Sequence, residues 1–499
     1  MALKQKVMKG FFWAFLERGS TQIVGFVISM ILARLLTPTD YGTVALLSIF
    51  IALTGVIVNS GLGTALIQKK EATELDFNSV FYLSIIASSI GYTVLFFIAR
   101  WIARYYAIPI LVPILRIQAL SLLFGAIAGV QGAILSRNLL FHLSFKINVI
   151  SSVIQAFLGI GLALGGYGVW ALVWSSLGTS IVSVGAQWFF IGWRPKWMFS
   201  WYSVRTLFGF GWKMSISALL DTGYNNLYGL LIGKFYSPAD LAFVNKGQAI
   251  PSMAMESING TLGRVAFPAL AQLQDQRETV RTTMRRMIQC STFFVFPLMT
   301  GLALCADSLI PLLFGNQWSA SIPYVQLSCF CFALWPFHTI NLNGIQALGR
   351  SDIFLYLEVV KKVIGLSLLF WSIRYGVFWM VAIGAFVGGP LSVFINAWPN
   401  RRLLGYTLRM QMKDALPTLS ICVIMAFVIY PISFLLLPKW GILAIQIPLG
   451  GAVFIFVAWL ARLKPLCEYA ILIKPYLEPR LSPRLCPLWR RFIKRLEMV

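Results

Sequence analysis

Fourteen apolar stretches, each about the length of a bilayer crossing, dominate this 499-residue chain. They cover 10–33, 41–66, 77–99, 110–135, 143–165, 168–192, 207–233, 241–263, 287–306, 323–347, 353–373, 377–398, 415–437 and 441–461. Lipid offers no partner to a backbone N–H or C=O, so runs of roughly 20 apolar residues predict helices. The connections are short, which predicts antiparallel neighbours. The expected fold is therefore an all-α integral membrane protein with 14 transmembrane helices. Composition agrees: 58% of residues are hydrophobic and 12% charged, and the mean hydropathy is +0.78. A soluble chain is about a quarter charged. The first stretch is too long for the apolar core of a cleavable leader, and no small-residue cleavage motif follows it.

The chain carries 41 Lys and Arg against 17 Asp and Glu, a net +24. In a soluble domain such an excess would point to nucleic acid. Between membrane spans it reports topology instead, and no nucleic-acid partner is expected. With the N-terminus cytoplasmic, 29 bases fall on the cytoplasmic side and 6 on the other. That bias predicts both termini in the cytoplasm. The basic, proline-studded tail at 462–499 is expected to lie on anionic membrane lipid. Seven Cys occur without a CxxC pair and read as small buried hydrophobes. His142 and His338 are the only histidines, so neither a His-based metal site nor a bound cofactor is expected.

The chain also repeats itself. "ARLLTPTDYG" at 33–42 returns as "GKFYSPADLA" at 233–242. In this register Pro38/Pro238, Asp40/Asp240, Val44/Val244, Asn59/Asn259, Leu62/Leu262 and Gly63/Gly263 are identical. "GFFW" at 10–13 answers "GFGW" at 209–212, and "YGV" at 167–169 answers "YGV" at 375–377. Six spans therefore repeat as six more, entering from the same side, as in transporters with two parallel halves. The expected division is 1–200 (spans 1–6), 201–410 (spans 7–12), 411–461 (spans 13 and 14) and the tail 462–499. The repeated decapeptide itself reads as a turn. Pro ends one helix, and Thr or Ser with Asp caps the next.

Charges at membrane depth are costly, about 2.5–3.5 kcal/mol each on insertion scales. The topology buries six bases, Arg18, Arg116, Lys213, Lys246, Lys361 and Lys362, and four acids, Glu17, Asp221, Glu256 and Glu358. Such residues face a cavity, pair, or snorkel to an interface. Span 8 carries Asn245, Gln248, Ser252, Glu256 and Asn259 at helical spacing, one continuous polar face that lipid cannot solvate. Pro251 can kink the helix beside it. Asp221 and Asn225 give span 7 a polar patch one turn long. In span 11, Glu358 is spaced to pair with Lys362, which leaves Lys361 without an evident partner. The expected substrate-binding cavity holds Arg18, Lys213, Lys246 and Lys361, with Asn225, Gln248 and Asn259 as polar lining. Its excess of positive charge suits an anion such as a diphosphate. Asp221 and Glu256 are the candidates for coupling to H+ or Na+.

Two apparent motifs fail. "GLLIGK" at 229–234 is one residue short of a phosphate loop and is followed by Phe235, and "GGYG" at 165–168 is a hairpin turn.

The run "WAFLERGSTQIVGFVISMILARLLTPTDYG", followed by "GLGTALIQKK", resembles the polysaccharide flippases of the multidrug, oligosaccharidyl-lipid and polysaccharide (MOP) exporter superfamily. "LIGKFYSPADLAFVNKGQAIP", "VAFPALAQLQDQ", "LFGNQWSASIPYVQL" and "LNGIQALGRSDIFLYLEVVKK" are similar to later segments of its exopolysaccharide and colanic-acid exporters. The resemblance covers nearly all of 1–415. It implies two six-helix lobes in a V around a cationic cavity, in the bacterial inner membrane. It implies alternating-access flipping of an undecaprenyl-diphosphate-linked oligosaccharide, with a glycan polymerase as a partner. Its cavity bases would be Arg18, Lys213, Lys246 and Lys361, beside Asp221 and Glu256. The family's "GYY" after the second turn is "LAF" at 241–243 here. Rival readings are a cation-coupled drug exporter, which would want fewer bases, a membrane glycan polymerase or ligase, which would want a large outer loop, and an inert scaffold. The chain is read as a transporter, not an enzyme.

Overall fold

The computed structural model describes residues 2–59, 61–69, 71–466 and 468–469. Among them there is helix and no strand. Contacts divide the chain into two compact units, Met1–Ala242 and Phe243–Val499.

The first unit contains α1 (Ala2–Leu35), α2 (Pro38–Asn59), α3 (Leu62–Gln68), α4 (Glu74–Tyr106), α5 (Leu111–Gln118), α6 (Ser121–Arg137), α7 (Phe141–Leu164), α8 (Val169–Phe190) and α9 (Trp201–Phe235). Helix α10 (Pro238–Ala271) begins in it and continues into the second. There follow α11 (Arg277–Phe314), α12 (Ile322–Ala333), α13 (Trp335–Ala347), α14 (Ser351–Ser372), α15 (Val377–Ile383), α16 (Gly389–Leu404), α17 (Leu408–Ile429) and α18 (Lys439–Leu460).

Among the described residues each of the fourteen apolar stretches is largely helical. Four are broken. Gly61, at φ 63°, separates α2 from α3, a left-handed backbone that glycine adopts without strain. Helices α5 and α6 divide at 119–120, and α12 and α13 divide at Leu334, just before Pro336. A single π-helical segment, Gly384–Gly388, joins α15 to α16.

Among the described residues, ten helical stretches are long and apolar enough to cross a membrane. Helices α9, α10 and α14 do not reach that standard over their described residues, and the described apolar part of α1 is Gly19–Leu35. These four helices carry Glu17, Arg18, Lys213, Asp221, Lys246, Glu256, Glu358, Lys361 and Lys362.

The repeated turn is built twice in the same way. Thr37 Oγ1 donates to Asp40 Oδ2 at 2.7 Å, and the Asp40 amide returns a bond to Thr37 Oγ1 at 3.3 Å. Ser237 Oγ donates to Asp240 Oδ2 at 2.7 Å, and the Asp240 amide donates to Ser237 Oγ at 3.1 Å. Each hydroxyl–carboxylate pair occupies a free amide at the start of a helix whose first residue is proline.

Once helices are in lipid, apolar burial no longer separates packed from unpacked states, so close approach and polar contacts hold them together. In the first unit α7 packs on α1 and α8, α4 on α6, and α9 on α2, α3 and α4. Leu207, near the start of α9, joins a buried cluster with Leu62, Leu66, Val80 and Phe81. At its other end Tyr106 Oη donates to the Leu230 carbonyl at 3.3 Å, and Lys234 Nζ donates to the Tyr105 carbonyl. The turn after α9 lies so close to α2 that a Cβ on Gly42 would fall on the Pro238 carbonyl.

The second unit is organised around α11, which packs on α12, α13, α17 and α18. Val280, Met284, Ile288, Phe337, Ile340 and Met425 belong to its buried core. Two polar knots lie within it. Asn341, Asn400 and Gln411, all fully buried, are joined by side-chain amide bonds of 2.7–2.9 Å. Asp414 accepts from Arg285 Nε at 2.9 Å, Arg285 Nη2 at 2.7 Å, Gln289 Nε2 at 3.1 Å and Tyr406 Oη at 2.8 Å. Burial and the Asp414 carboxylate push the Tyr406 phenol well above its ordinary range.

Candidate substrate-binding site

The candidate residues lie on α1 and α9 in the first unit and on α10 and α14 in the second. In the first, Glu17 of α1 accepts from Asn148 Nδ2 of α7 at 2.8 Å. A carboxylate drawn away from bulk water needs such a donor. On α9, Asp221 and Asn225 reach the molecular surface one turn apart, as their spacing predicts. Arg18 and Lys213 stand on α1 and α9, with side chains outside the described residues.

In the second unit Asn245, Gln248 and Glu256 reach the surface along α10, with Ser252 half-buried between them. Asn259 continues that register, its side chain outside the described residues. Lys246 is not on this face. One helical residue turns the chain by about 100°, and Lys246 is buried at 7% exposure. Its Nζ lies 4.8 Å from the Phe314 ring centre and 5.4 Å from that of Trp318. These rings offer the ammonium their electron-rich faces.

On α14 the pairing differs from the expected one. Lys361 does have a partner: Nζ bonds Glu358 Oε1 at 2.5 Å, across three residues rather than four. Both spacings place side chains on one helix face. The Lys361 side chain is 15% exposed and that of Glu358 31%. On α13, His338 Nδ1 lies 3.0 Å from Asn396 Nδ2 of α16. Arg116, another base at membrane depth, is occupied in the first unit: its guanidinium stacks 3.9 Å from the Phe96 ring centre, and Nε donates to the Phe96 carbonyl at 3.3 Å.

Asn148, Asn396, the Asn341–Asn400–Gln411 knot and the Asp414 knot were not foreseen. A signal was present: Asn396 and Asn400 are four residues apart in an apolar stretch, the spacing of one helix face. Counting charges alone passes over amides. Among the described residues no cluster of His, Cys, Asp and Glu could hold a metal ion.

The described residues thus combine ten helices apolar enough to cross a membrane with helices that carry paired or amide-bonded charges. The chain is 25% identical over 419 residues to the teichuronic acid biosynthesis protein TuaB of Bacillus subtilis (strain 168), covering 83% of this chain and 85% of TuaB. It is 24% identical to the lipopolysaccharide biosynthesis protein WzxC of Escherichia coli (strain K12), covering 79% and 80%. Among solved structures it matches the lipid II flippase MurJ in an inward closed conformation, with a TM-score of 0.70 at 15% identity, over 90% of this chain and 98% of that one. It therefore shares the fold of that multi-pass membrane protein. The polysaccharide biosynthesis protein family model matches residues 31–323, more than half of the sequence, and the chain belongs to that family.

Proposed function

We propose that this protein is a flippase for a lipid-linked oligosaccharide. In this reading it carries an undecaprenyl-diphosphate-linked repeat unit from the cytoplasmic to the outer leaflet of the bacterial inner membrane by alternating access. All fourteen helical stretches span the bilayer, as two six-helix halves (1–200 and 201–410) and two further helices (411–461), with both termini cytoplasmic. The product feeds exopolysaccharide, O-antigen or capsule assembly, where a glycan polymerase is the partner.

One observation carries the reading: nine of the ten charges at membrane depth lie on α1, α9, α10 and α14, with Arg116 on α5 the exception. Ten apolar helices suffice to anchor a chain, so polar helices among them serve a polar cargo. An exporter of cationic drugs has no use for basic residues there, whereas a diphosphate does. A family that includes proteins of teichuronic acid and lipopolysaccharide biosynthesis, and a fold shared with a lipid II flippase, point the same way. Arg18, Lys213 and Lys361 are assigned to the diphosphate, with Asn225, Gln248 and Asn259 toward the sugars. Asp221 and Glu256 are available for ion coupling. Lys246 serves from beneath the Phe314 and Trp318 rings.

The test is reconstitution. A fluorescent undecaprenyl-diphosphate oligosaccharide is placed in both leaflets of proteoliposomes, and a membrane-impermeant quencher follows its exchange. Protein-dependent exchange of this lipid, and none of an equally long neutral glycolipid, is the expected result. Exchange of neither, with uptake of a cationic dye instead, would overturn the reading in favour of a drug exporter.

A further inference from the structure

Two helices of the second unit end side by side, and the bases at their ends are not paired. Helix α16 closes at Leu404 and α17 opens at Leu408. One atom holds the two ends together: Asn341 Oδ1 accepts from Asn400 Nδ2 at 2.7 Å and from Gln411 Nε2 at 2.9 Å. Beside these amides stand Arg401 and Arg402 on α16, and Arg409 and Lys413 on α17. All four bases are exposed, and among the described residues no ion pair or hydrogen bond engages their side chains. Elsewhere Lys69, Lys196, Arg281, Arg285, Arg286 and Arg350 each pair with an acid. The carboxylate next to Lys413, that of Asp414, is buried and taken by Arg285 and Tyr406.

Their direction matters as much as their number. The stretches Val377–Leu404 and Leu408–Phe434 are both long and apolar enough to cross a membrane. On α16, Phe394 and Trp398 are 44% and 49% exposed and precede Arg401 and Arg402 at helical spacing. On α17, Met412, Leu416 and Leu419 are exposed in the same register as Arg409 and Lys413. The bases therefore continue two apolar stripes of the kind that face lipid. At 1.5 Å of rise per residue, each lies within about 8 Å of the end of its span, the level of the headgroups. An indole such as that of Trp398 favours the same level, where its ring is in lipid and its N–H in water.

Four cationic groups gathered in this way repel one another unless an anion lies among them. At this depth the leaflet itself supplies anions. Guanidinium forks match phosphate oxygens, and the stripes beneath offer acyl chains an apolar surface with two rings in it. A soluble acidic peptide would meet the charges and leave the stripes unused.

We propose that the adjoining ends of α16 and α17 bind an anionic phospholipid, with its phosphate among Arg401, Arg402, Arg409 and Lys413 and its acyl chains along the stripes. In the topology given above this is a lipid of the cytoplasmic leaflet. The site requires only that α16 and α17 span the membrane, and it is independent of the cargo.

Photolabelling tests it. The full-length protein is placed in phosphatidylcholine nanodiscs that contain a small fraction of phosphatidylglycerol or phosphatidylcholine with a diazirine in one acyl chain. After irradiation, mass spectrometry counts adducts on peptides from 389–423. Phosphatidylglycerol should label this region about fivefold or more over phosphatidylcholine. Arg401→Gln/Arg402→Gln and Arg409→Gln/Lys413→Gln should each at least halve that preference. Lys146→Gln/Arg205→Gln removes two exposed bases from the first unit and should leave it unchanged. Equal labelling by the two lipids in wild type would overturn the proposal and leave the patch to an acidic protein partner. A preference that survives in both α16 and α17 variants, or that falls as far in the first-unit variant, would also overturn it, because the preference would then come from the overall positive charge of the protein.

Discussion

Removing the Asp414 carboxylate should destabilise the second unit more than removing any surface ion pair. The carboxylate takes four hydrogen bonds, from Arg285 Nε and Nη2, Gln289 and Tyr406. Its side chain is 5% exposed, and Tyr406 is fully buried. In Asp414→Ala the buried Tyr406 hydroxyl loses its acceptor where water cannot replace it, at about 1–3 kcal/mol, and the half-buried Gln289 amide loses one at smaller cost. Arg285 adds less, because its side chain is 43% exposed and can turn to solvent. The sum is about 3 kcal/mol, the low end for breaking a buried pair. For a cooperative unit of this size that is a fall of roughly 6–12 °C in Tm. Thermal unfolding in micelles, followed with a thiol-reactive dye that reports exposure of buried Cys422 and Cys329, measures it. Lys196→Ala is the control: its pair with Glu74 is 60% exposed on both sides, so a change of about 2 °C or less is expected. A shift in Asp414→Ala no larger than the control's would refute the reasoning.

Three other outcomes follow from the same packing. Gly42→Ala should sharply lower the yield of monodisperse protein in size-exclusion chromatography, because the new methyl meets the Pro238 carbonyl, whereas Gly25→Ala, with open space at its Cβ, should not. Tyr406 donates to Asp414 as a neutral phenol, and its folded pKa is raised. Its stabilising contribution is therefore complete below the unfolded value of about 10 and is lost as pH rises beyond it. Wild type should lose Tm more steeply above about pH 10 than Tyr406→Phe, and parallel curves would count against this. Glu358→Gln frees Lys361 from its ion pair and should strengthen binding of a diphosphate ligand several-fold, while unchanged or weaker affinity would show that Lys361 does not meet it.

Much of the helix pattern was legible because its causes are local. Apolar length sets the spans, and the Thr37–Asp40 and Ser237–Asp240 caps need only residues three apart. The choice of Lys361 over Lys362 beside the Glu358 carboxylate was not legible, because positions three and four residues on are both neighbours on a helix. The burial of Lys246 depends on Phe314 and Trp318, about seventy residues away in sequence, so no local pattern shows it. Asp414 lay hidden for a different reason. Its partner Arg285 falls in a basic segment that topology already explains, and nothing local marks one arginine of that segment as paired across 129 residues. The amide network of Asn341, Asn400 and Gln411 carries no charge and joins residues 59 and 70 apart in sequence.

The central claim is that the polar residues of α1 and α14 carry a lipid-linked anion across the bilayer. The flipping rates of Arg18→Ala and Lys361→Ala, reconstituted at matched protein levels with wild type, test it most directly. Lys234→Ala, whose ammonium is engaged by Tyr105, is the control. The account predicts flipping by wild type and by the control, with each of the other two variants slowed about tenfold or more, the effect of losing one charge-assisted contact worth roughly 1.4 kcal/mol. Wild-type rates in both Arg18→Ala and Lys361→Ala would contradict it.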